Sequence, residues 1–156
     1  MLIRTDAKMR AVGKRIINAC ESGGVIALQG DLGTGKTTLV RGALQSLQVV
    51  GGIRSPTYTL VEIYPLEPLS IAHFDLYRLG DGEELEYLGF RDYLNSDTVC
   101  LIEWPEKARG YLDNIGLTIE LSYHEKGRYC ELRPVNDWGQ RIVDRFVRQS
   151  KSRKSG

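Results

Sequence analysis

The chain of 156 residues is 42% hydrophobic and 26% charged, which excludes a disordered or collagen-like protein. No apolar run approaches the roughly 20 residues of a membrane helix, so we expect no membrane association. Three widely separated cysteines exclude a disulfide framework or a zinc site and favour reduced thiols in the cytoplasm. This length predicts one domain, which we place at residues 1–150.

The net charge of +1 is unevenly distributed along the chain. Residues 141–156 contain six Lys and Arg side chains and one acid, so this segment carries +5 and the remainder carries −4. Such a segment is typical either of a solvated helix end or of a surface that binds a polyanion such as RNA. We predict that residues 151–156 form a flexible basic tail.

Hydrophobic periodicity divides the first part of the chain into two helices and two strands. A helix capped by Thr5 is predicted to reach about residue 22, where a glycine pair ends it. A short apolar run at 25–28 is typical of a buried strand, and a glycine-rich turn at 30–35 leads into a helix that reaches about residue 47. The alternation at 58–64 predicts another strand.

The second part contains two further apolar runs, at 70–74 and 98–102, and an acidic segment at 81–86 that opens a short helix. Strands at 117–123 and 128–132 flank a polar turn and predict a hairpin. Asp137 then caps a last helix that runs into the basic segment. The order predicts an α/β fold whose mixed sheet has a parallel core, a C-terminal antiparallel hairpin and helices on both faces.

Residues 30–37 read Gly-Asp-Leu-Gly-Thr-Gly-Lys-Thr and match the phosphate-binding loop, or P-loop, pattern G-x-x-x-x-G-K-[ST]. The motif follows a predicted buried strand and opens a predicted helix, as its mechanism requires. Glycines let backbone N–H groups surround phosphate oxygens, and the helix N-terminus favours anions. We therefore predict a P-loop NTPase fold in which Lys36 reaches the β- and γ-phosphates and the Thr37 hydroxyl is a magnesium ligand.

A P-loop site also needs an acid at the end of another parallel strand, and two positions qualify. Glu103 follows the run at 98–102, and Asp75 follows the run at 70–74. Each carboxylate would lie at the carboxyl edge of the sheet, where α/β folds bind ligands. We favour Glu103 as the metal-side acid because its strand is the more apolar, and Asp75 would then position the attacking water or bind the metal through water.

Two other segments are candidates for the same site. Thr57 lies in Ser-Pro-Thr-Tyr-Thr, a hydroxyl-rich connection that is typical either of a γ-phosphate-sensing switch or of a proline turn that enters a strand. Trp104, beside Glu103, either packs in the core or covers the nucleotide. In the dense segment at 73–78, His73 and Tyr77 are core residues by default and Arg78 is a surface charge.

Four blocks in this order resemble the bacterial TsaE family of small P-loop ATPases. They are the P-loop with Thr38, the Ser-Pro-Thr-Tyr segment at 55–58, His-Phe-Asp-Leu-Tyr-Arg at 73–78 and Ile-Glu-Trp at 102–104. The resemblance covers about residues 5–147, and the last three blocks are more specific than the loop. This chain departs from the family in its longer basic tail and in Pro105.

The resemblance implies a function in tRNA modification. The family takes part in making threonylcarbamoyladenosine next to the anticodon, with TsaD and TsaB proteins as partners and tRNA reached through that complex. ATP binding and hydrolysis with Mg²⁺, weak in the isolated protein, reset the assembly between turnovers. Carried over by motif, Glu103 is a metal ligand beside Thr37, and Asp75, Lys36 and Thr57 serve hydrolysis. The residues implied to contact ATP are Asp31, Leu32, Gly33, Thr34, Gly35, Lys36, Thr37, Thr38 and Trp104.

Two other function classes share the P-loop. A small-molecule kinase usually carries an arginine-rich lid, and no such insertion is present in the sequence. A nucleotide-gated binding module, in which hydrolysis is incidental, differs from the ATPase only in how turnover responds to a partner. The sequence also lacks the Asn-Lys-x-Asp motif that reads guanine, which favours ATP over GTP.

Overall fold

Seven strands form one mixed sheet in the computed structural model, which describes residues 1–49 and 51–152. The strands are β1 (Leu2–Ile3), β2 (Gly24–Gln29), β3 (Val61–Tyr64), β4 (Ser70–Asp75), β5 (Thr98–Glu103), β6 (Ile115–His124) and β7 (Gly127–Pro134). Their order is β1-β7-β6-β2-β5-β4-β3. The four central strands β6, β2, β5 and β4 are parallel, and β1, β7 and β3 are antiparallel to their neighbours. The predicted parallel core and C-terminal hairpin are confirmed.

Helices cover both faces of the sheet, as predicted. One face packs against α1 (Asp6–Ala19), α2 (Lys36–Ser46) and α4 (Asp137–Ser152). The other face packs against α3 (Glu84–Tyr87), two 3₁₀ turns at Phe90–Tyr93 and Pro105–Ala108, and the loops between them. Within the described residues, no helix combines the length and the apolar character needed to cross a bilayer.

Successive side chains of β4 point to opposite faces of the sheet, and this alternation positions two residues of the site. Ile71 faces the helices α1, α2 and α4, whereas Ala72 and Phe74 face the opposite layer. The Phe74 ring is fully buried and meets Phe90 edge-on at 5.4 Å between ring centroids, a contact that stabilises the layer by about 0.5–1.5 kcal/mol beyond burial. The same alternation places His73 and Asp75 on the face of Ile71, beside the start of α2.

Two glycines bring α1 and α2 into close contact. A Cβ atom on Gly13 would lie 1.9 Å from the backbone oxygen of Leu39, and a Cβ on Gly42 would lie 2.2 Å from that of Arg10. Hydrogen atoms in place of side chains therefore allow the two backbones to touch. This contact holds α2, and with it the P-loop that opens α2, against the rest of the helical layer.

Several element boundaries differ from the predictions. The first helix ends at Ala19 rather than near residue 22, and the predicted strand at 58–64 begins only at Val61. Leu60 adopts a left-handed φ of 65°, and its N–H donates to the Pro56 carbonyl at 2.7 Å, so residues 57–60 form a turn. The alternation at 58–64 was misleading because the residues of a turn can follow the same alternating pattern as a strand.

The two ends of the chain also differ from the predictions. The strand β1 was not predicted; it pairs with β7, Leu2 opposite Tyr129, and two residues are too few for a periodic signal. The cap of α4 is Asn136, whose side-chain oxygen accepts from the N–H of Gly139 at 3.0 Å, and Asp137 is the first helical residue. The helix continues to Ser152, so the predicted tail at 151–156 begins inside α4, and its residues 153–156 lie outside the described residues.

Candidate active site

The P-loop connects β2 to α2 at the edge where the carboxyl ends of the parallel strands meet. Gly35, the N-cap of α2, has a left-handed φ of 107°. At Gly30, also at positive φ, a Cβ would lie 2.4 Å from the Leu121 carbonyl oxygen on β6. Glycine is therefore required at both positions, one for its dihedral angle and the other for close approach to the sheet.

Lys36 is 95% buried, at 5% relative exposure, inside its own loop. Its ammonium donates to the carbonyl oxygens of Gly30 and, at 2.9 Å, of Asp31, and it lies 4.1 Å from the ring centroid of Trp104. Burial lowers the pKa of Lys36, and the nearby Glu103 carboxylate partly opposes this shift. An anion with several oxygens could replace both carbonyls as the partner of this ammonium.

Glu103 is joined to two other side chains at the end of β5. The Thr37 hydroxyl donates to its Oε1 at 2.7 Å, and the Nε2 atom of His73 lies 2.6 Å from its Oε2. Glu103 and His73 are each only 2% exposed. The carboxylate thus connects the first turn of α2 to the neighbouring strand β4.

Asp75 is the residue opposite Glu103 in the β4–β5 register. Its Oδ1 accepts from the N–H of Tyr77 at 3.1 Å. Partial burial raises the pKa of Asp75, the Tyr77 N–H opposes the shift, and the negative charge of Glu103 adds to it. Asp75 is consequently a stronger base than an ordinary aspartate, as a group that accepts a proton from water requires.

One cavity of about 410 Å³ contains most of the predicted site residues. It is lined by Leu32, Gly33, Gly35, Lys36, Thr37, Thr38, Thr57, Asp75, Tyr77, Arg78, Glu103 and Trp104. Asp31 and Thr34 do not line it: the buried Thr34 hydroxyl donates to the Asp31 carbonyl at 2.8 Å and braces the loop from within. The structure thus brings the predicted catalytic, metal and switch residues together, and their roles remain predictions.

A second cavity of about 380 Å³ lies on the other side of the P-loop. It shares Gly33, Gly35 and Thr38 with the first cavity, and its lining adds Thr34 of the loop, residues 3–6 and 9, and the beginning of β7. The loop therefore separates a compartment with two carboxylates from one whose lining includes Asp6 and Arg128. An elongated ligand held at its middle by the loop would reach into both.

The hairpin β6–β7 contributes two loop-binding residues that sequence reasoning missed. The Tyr123 hydroxyl donates to the Leu32 carbonyl, and the Arg128 guanidinium donates to the Gly33 carbonyl at 3.3 Å. Arg128 also stacks over the Tyr123 ring at 4.5 Å. The contacts join residues about 90 positions apart, so no local pattern in the sequence indicates them.

The segment after Asp75 contains two further residues that line the cavity: Tyr77, whose default assignment as a core residue was wrong, and Arg78, which is exposed as expected. Tyr77 is not a core residue: it is 45% exposed, lines the cavity and lies 4.9 Å from the Trp104 ring. Arg78 is more than a surface charge, since it lines the cavity and stacks over the ring of Tyr58 at 4.8 Å. Trp104 adopts a left-handed φ of 59°, and this unusual conformation lies at the border of the cavity.

Three oxygen-bearing side chains at the cavity are candidate ligands for a magnesium ion. Among residues 1–49 and 51–152, no group of three or more His, Cys, Asp and Glu side chains is arranged to hold a metal ion. Magnesium in nucleotide sites is held by one or two carboxylates together with phosphates and waters. Thr37, Glu103 and Asp75 offer one hydroxyl and two carboxylates of this kind, all facing the cavity of the P-loop.

Comparison with curated proteins gives close relatives. The Haemophilus influenzae protein named tRNA threonylcarbamoyladenosine biosynthesis protein TsaE is 48% identical over 122 residues, which cover 78% of this chain and 77% of that protein. The Bacillus subtilis protein of the same name is 38% identical over 95 residues, which cover 61% of this chain and 59% of that protein.

A solved structure and a family model complete the comparison. The crystal structure of Bacillus subtilis YdiB has a TM-score of 0.80 at 24% identity and matches 96% of this chain and 94% of that chain, which confirms the P-loop NTPase fold. The family model described as Threonylcarbamoyl adenosine biosynthesis protein TsaE matches residues 3–130. The match covers most of the chain and includes all four motif blocks. As the sequence resemblance predicted, the chain belongs to the TsaE family.

Proposed function

We propose that this protein binds ATP with Mg²⁺, hydrolyses it weakly alone, and thereby supports a TsaD–TsaB complex in threonylcarbamoyladenosine modification of tRNA. The observation that carries the proposal is the meeting of the P-loop, Glu103 and Asp75 in one cavity. A phosphate site, a metal site and a base are the parts that phosphoryl transfer to water needs. The free, buried cysteines support a reducing compartment such as the cytoplasm.

The P-loop residues bind and orient the triphosphate. Lys36 exchanges the carbonyls of Gly30 and Asp31 for oxygens of the β- and γ-phosphates, and the backbone N–H groups at the start of α2 surround the same phosphates. The ring of Trp104 limits where the ammonium can lie, because it covers one side of it. The phosphate chain is thereby directed toward the carboxylates.

The carboxylates divide the remaining tasks. The Thr37 hydroxyl and Glu103 would hold the metal, which would supply positive charge to neutralise the phosphate oxygens. Asp75 faces the same cavity from the neighbouring strand, and its raised pKa suits it to orient a water and to accept its proton. Removing Asp75 should therefore affect hydrolysis more than binding.

The second cavity is the proposed position of the nucleoside. It begins at Gly33, Gly35 and Thr38, on the side of the loop away from the carboxylates, so a nucleotide held by its phosphates would place its other end there. Arg128 lines this cavity and also contacts the loop. The hairpin is thus positioned to respond to an occupied P-loop.

The partner surface is proposed at the mouth of the first cavity. Thr57 lines the cavity, its hydroxyl lies 2.7 Å from that of Ser55, and the next residue, Tyr58, is 83% exposed. The exposed acids around α3 follow Arg78 in the chain. A segment that touches the γ-phosphate site and also faces outward would let the ATP and ADP states bind TsaD–TsaB differently.

Calorimetry and phosphate release test the nucleotide part of this proposal. The purified protein is titrated with ATP, ADP and GTP, with Mg²⁺ or with EDTA, and hydrolysis is followed under the same conditions. We expect binding of ATP in preference to GTP, tighter binding with Mg²⁺, and slow hydrolysis. Absence of nucleotide binding under all conditions would contradict the proposal. Binding without hydrolysis, even with TsaD–TsaB present, would favour the nucleotide-gated binding module.

A further inference from the structure

His73 is an almost fully buried polar side chain next to the site, and the reaction as proposed gives it no role. It lies in the middle of β4, between the core residues Ala72 and Phe74, and is only 2% exposed. Its Nε2 atom lies 2.6 Å from Oε2 of Glu103, and its buried Nδ1 atom has no hydrogen-bond partner within residues 1–49 and 51–152. A polar ring in this position needs a reason beyond packing, since an apolar side chain would bury at lower cost.

The contacts of Glu103 supply that reason. Its two carboxylate oxygens have different partners: Oε1 accepts from the Thr37 hydroxyl at 2.7 Å, and Oε2 is the atom beside His73. A carboxylate held at one oxygen only can rotate about its terminal bond. With both oxygens engaged, the plane of the carboxylate is fixed relative to the first turn of α2.

The same geometry identifies the tautomer of His73. An ionised carboxylate only accepts hydrogen bonds, so the short contact requires a proton on Nε2. A second proton, on Nδ1, would place an unpaired donor in a buried environment, which is costly. A ring protonated on Nε2 alone donates to Glu103 and places no donor at Nδ1, where an unpaired acceptor remains.

We infer that His73 is a positioning residue: its Nε2–H holds Oε2 of Glu103 so that Oε1 and the Thr37 hydroxyl face the metal that accompanies the nucleotide. This inference rests on the proposed function. Residues that orient metal ligands in this way typically change metal affinity by about 10–100-fold when they are replaced. The effect should therefore appear in magnesium dependence and leave the phosphate contacts of Lys36 unchanged.

Two variants of His73 separate positioning from packing. His73→Leu fills the space and leaves Oε2 unpaired, whereas His73→Gln can bring an amide N–H near the position of Nε2. We expect the Leu variant to lose about tenfold or more of the tightening that Mg²⁺ gives to ATP binding, with affinity in EDTA nearly unchanged. The Gln variant should recover most of it. His124→Gln, at an exposed histidine of the hairpin, is the matched control and should behave as the wild type.

The tautomer gives a readout on the unmodified protein. The chain has two histidines, so the nitrogen signals that persist in His124→Gln belong to His73. We expect long-range proton–nitrogen NMR spectra to report a proton on Nε2 and none on Nδ1. The opposite tautomer would overturn the inference, as would full magnesium dependence in a folded His73→Leu variant. Wild-type protein that binds no nucleotide would instead refute the proposed function, and the NMR result would still decide the contact with Glu103.

Discussion

Replacing Lys36 by methionine should separate nucleotide affinity from stability. Methionine keeps most of the aliphatic stem beside the Trp104 ring and removes the ammonium, which is buried among loop carbonyls. A hydrogen bond to a charged group contributes about 1.5–3 kcal/mol, so Lys36→Met should weaken ATP binding by about 10–150-fold. Hydrolysis should fall below detection because the γ-phosphate loses its main cation.

The same substitution should leave the fold intact. Burial lowers the pKa of Lys36, so the folded protein bears a free-energy cost for the charged ammonium at neutral pH. That cost is fully present below the folded-state pKa and disappears above the ordinary value of 10.5. Loss of the charge therefore offsets the loss of its hydrogen bonds, and the Tm should not fall at pH 7.

Calorimetric titration with ATP and thermal unfolding by circular dichroism measure the two quantities. Lys14→Met, on the exposed side of α1, makes the same chemical change away from the loop and should leave both unchanged. If Lys36→Met binds ATP within about twofold of the wild-type affinity, the P-loop assignment is refuted, because loss of a charged hydrogen bond should weaken binding by more than twofold. A large fall in Tm would instead refute the argument from desolvation.

Asp75→Asn should retain ATP binding, lose hydrolysis and raise the Tm at neutral pH, because it removes a carboxylate whose pKa is raised by burial; the stabilisation should vanish as the pH falls below the ordinary aspartate value of 3.8. Trp104 fluorescence should change on addition of ATP, and the response should persist in Trp138→Phe but disappear in Trp104→Phe. Gly13→Ala should cost about 1–3 kcal/mol, or roughly 2–12 °C in Tm, because its Cβ would meet the Leu39 carbonyl; an unchanged Tm would contradict the close contact of the helices.

The sequence predicted the part of the site that depends on local order. The P-loop motif, and one acid after each of two apolar runs, were enough to place Lys36, Asp75 and Glu103 at one edge of a parallel sheet. This works because parallel strands end on the same side and because side chains alternate along each strand. The same rule does not predict that β4 and β5 are neighbours with Asp75 opposite Glu103, which only the structure shows.

The remaining features depend on contacts between distant parts of the chain. The pairing of β1 with β7, and the contacts of Tyr123 and Arg128 with the P-loop, join segments that no periodic pattern links. His73 was expected only as a core residue. Its position in the apolar run of β4 indicates burial but does not reveal the contact with the Glu103 carboxylate on β5. In the same way, the alternation at 58–64 did not reveal the left-handed Leu60 that ends the turn before β3.

The central claim is that ATP hydrolysis by this protein serves a TsaD–TsaB complex. The most direct measurement is steady-state ATP turnover of the protein alone, with purified TsaD–TsaB, and with that pair and tRNA, using Asp75→Asn as the inactive control. We predict slow turnover alone, a clear increase with the pair, and an affinity for the pair that is higher with ATP than with ADP. Equal turnover with and without the pair, together with equal affinity in the ATP, ADP and nucleotide-free states, would contradict the account.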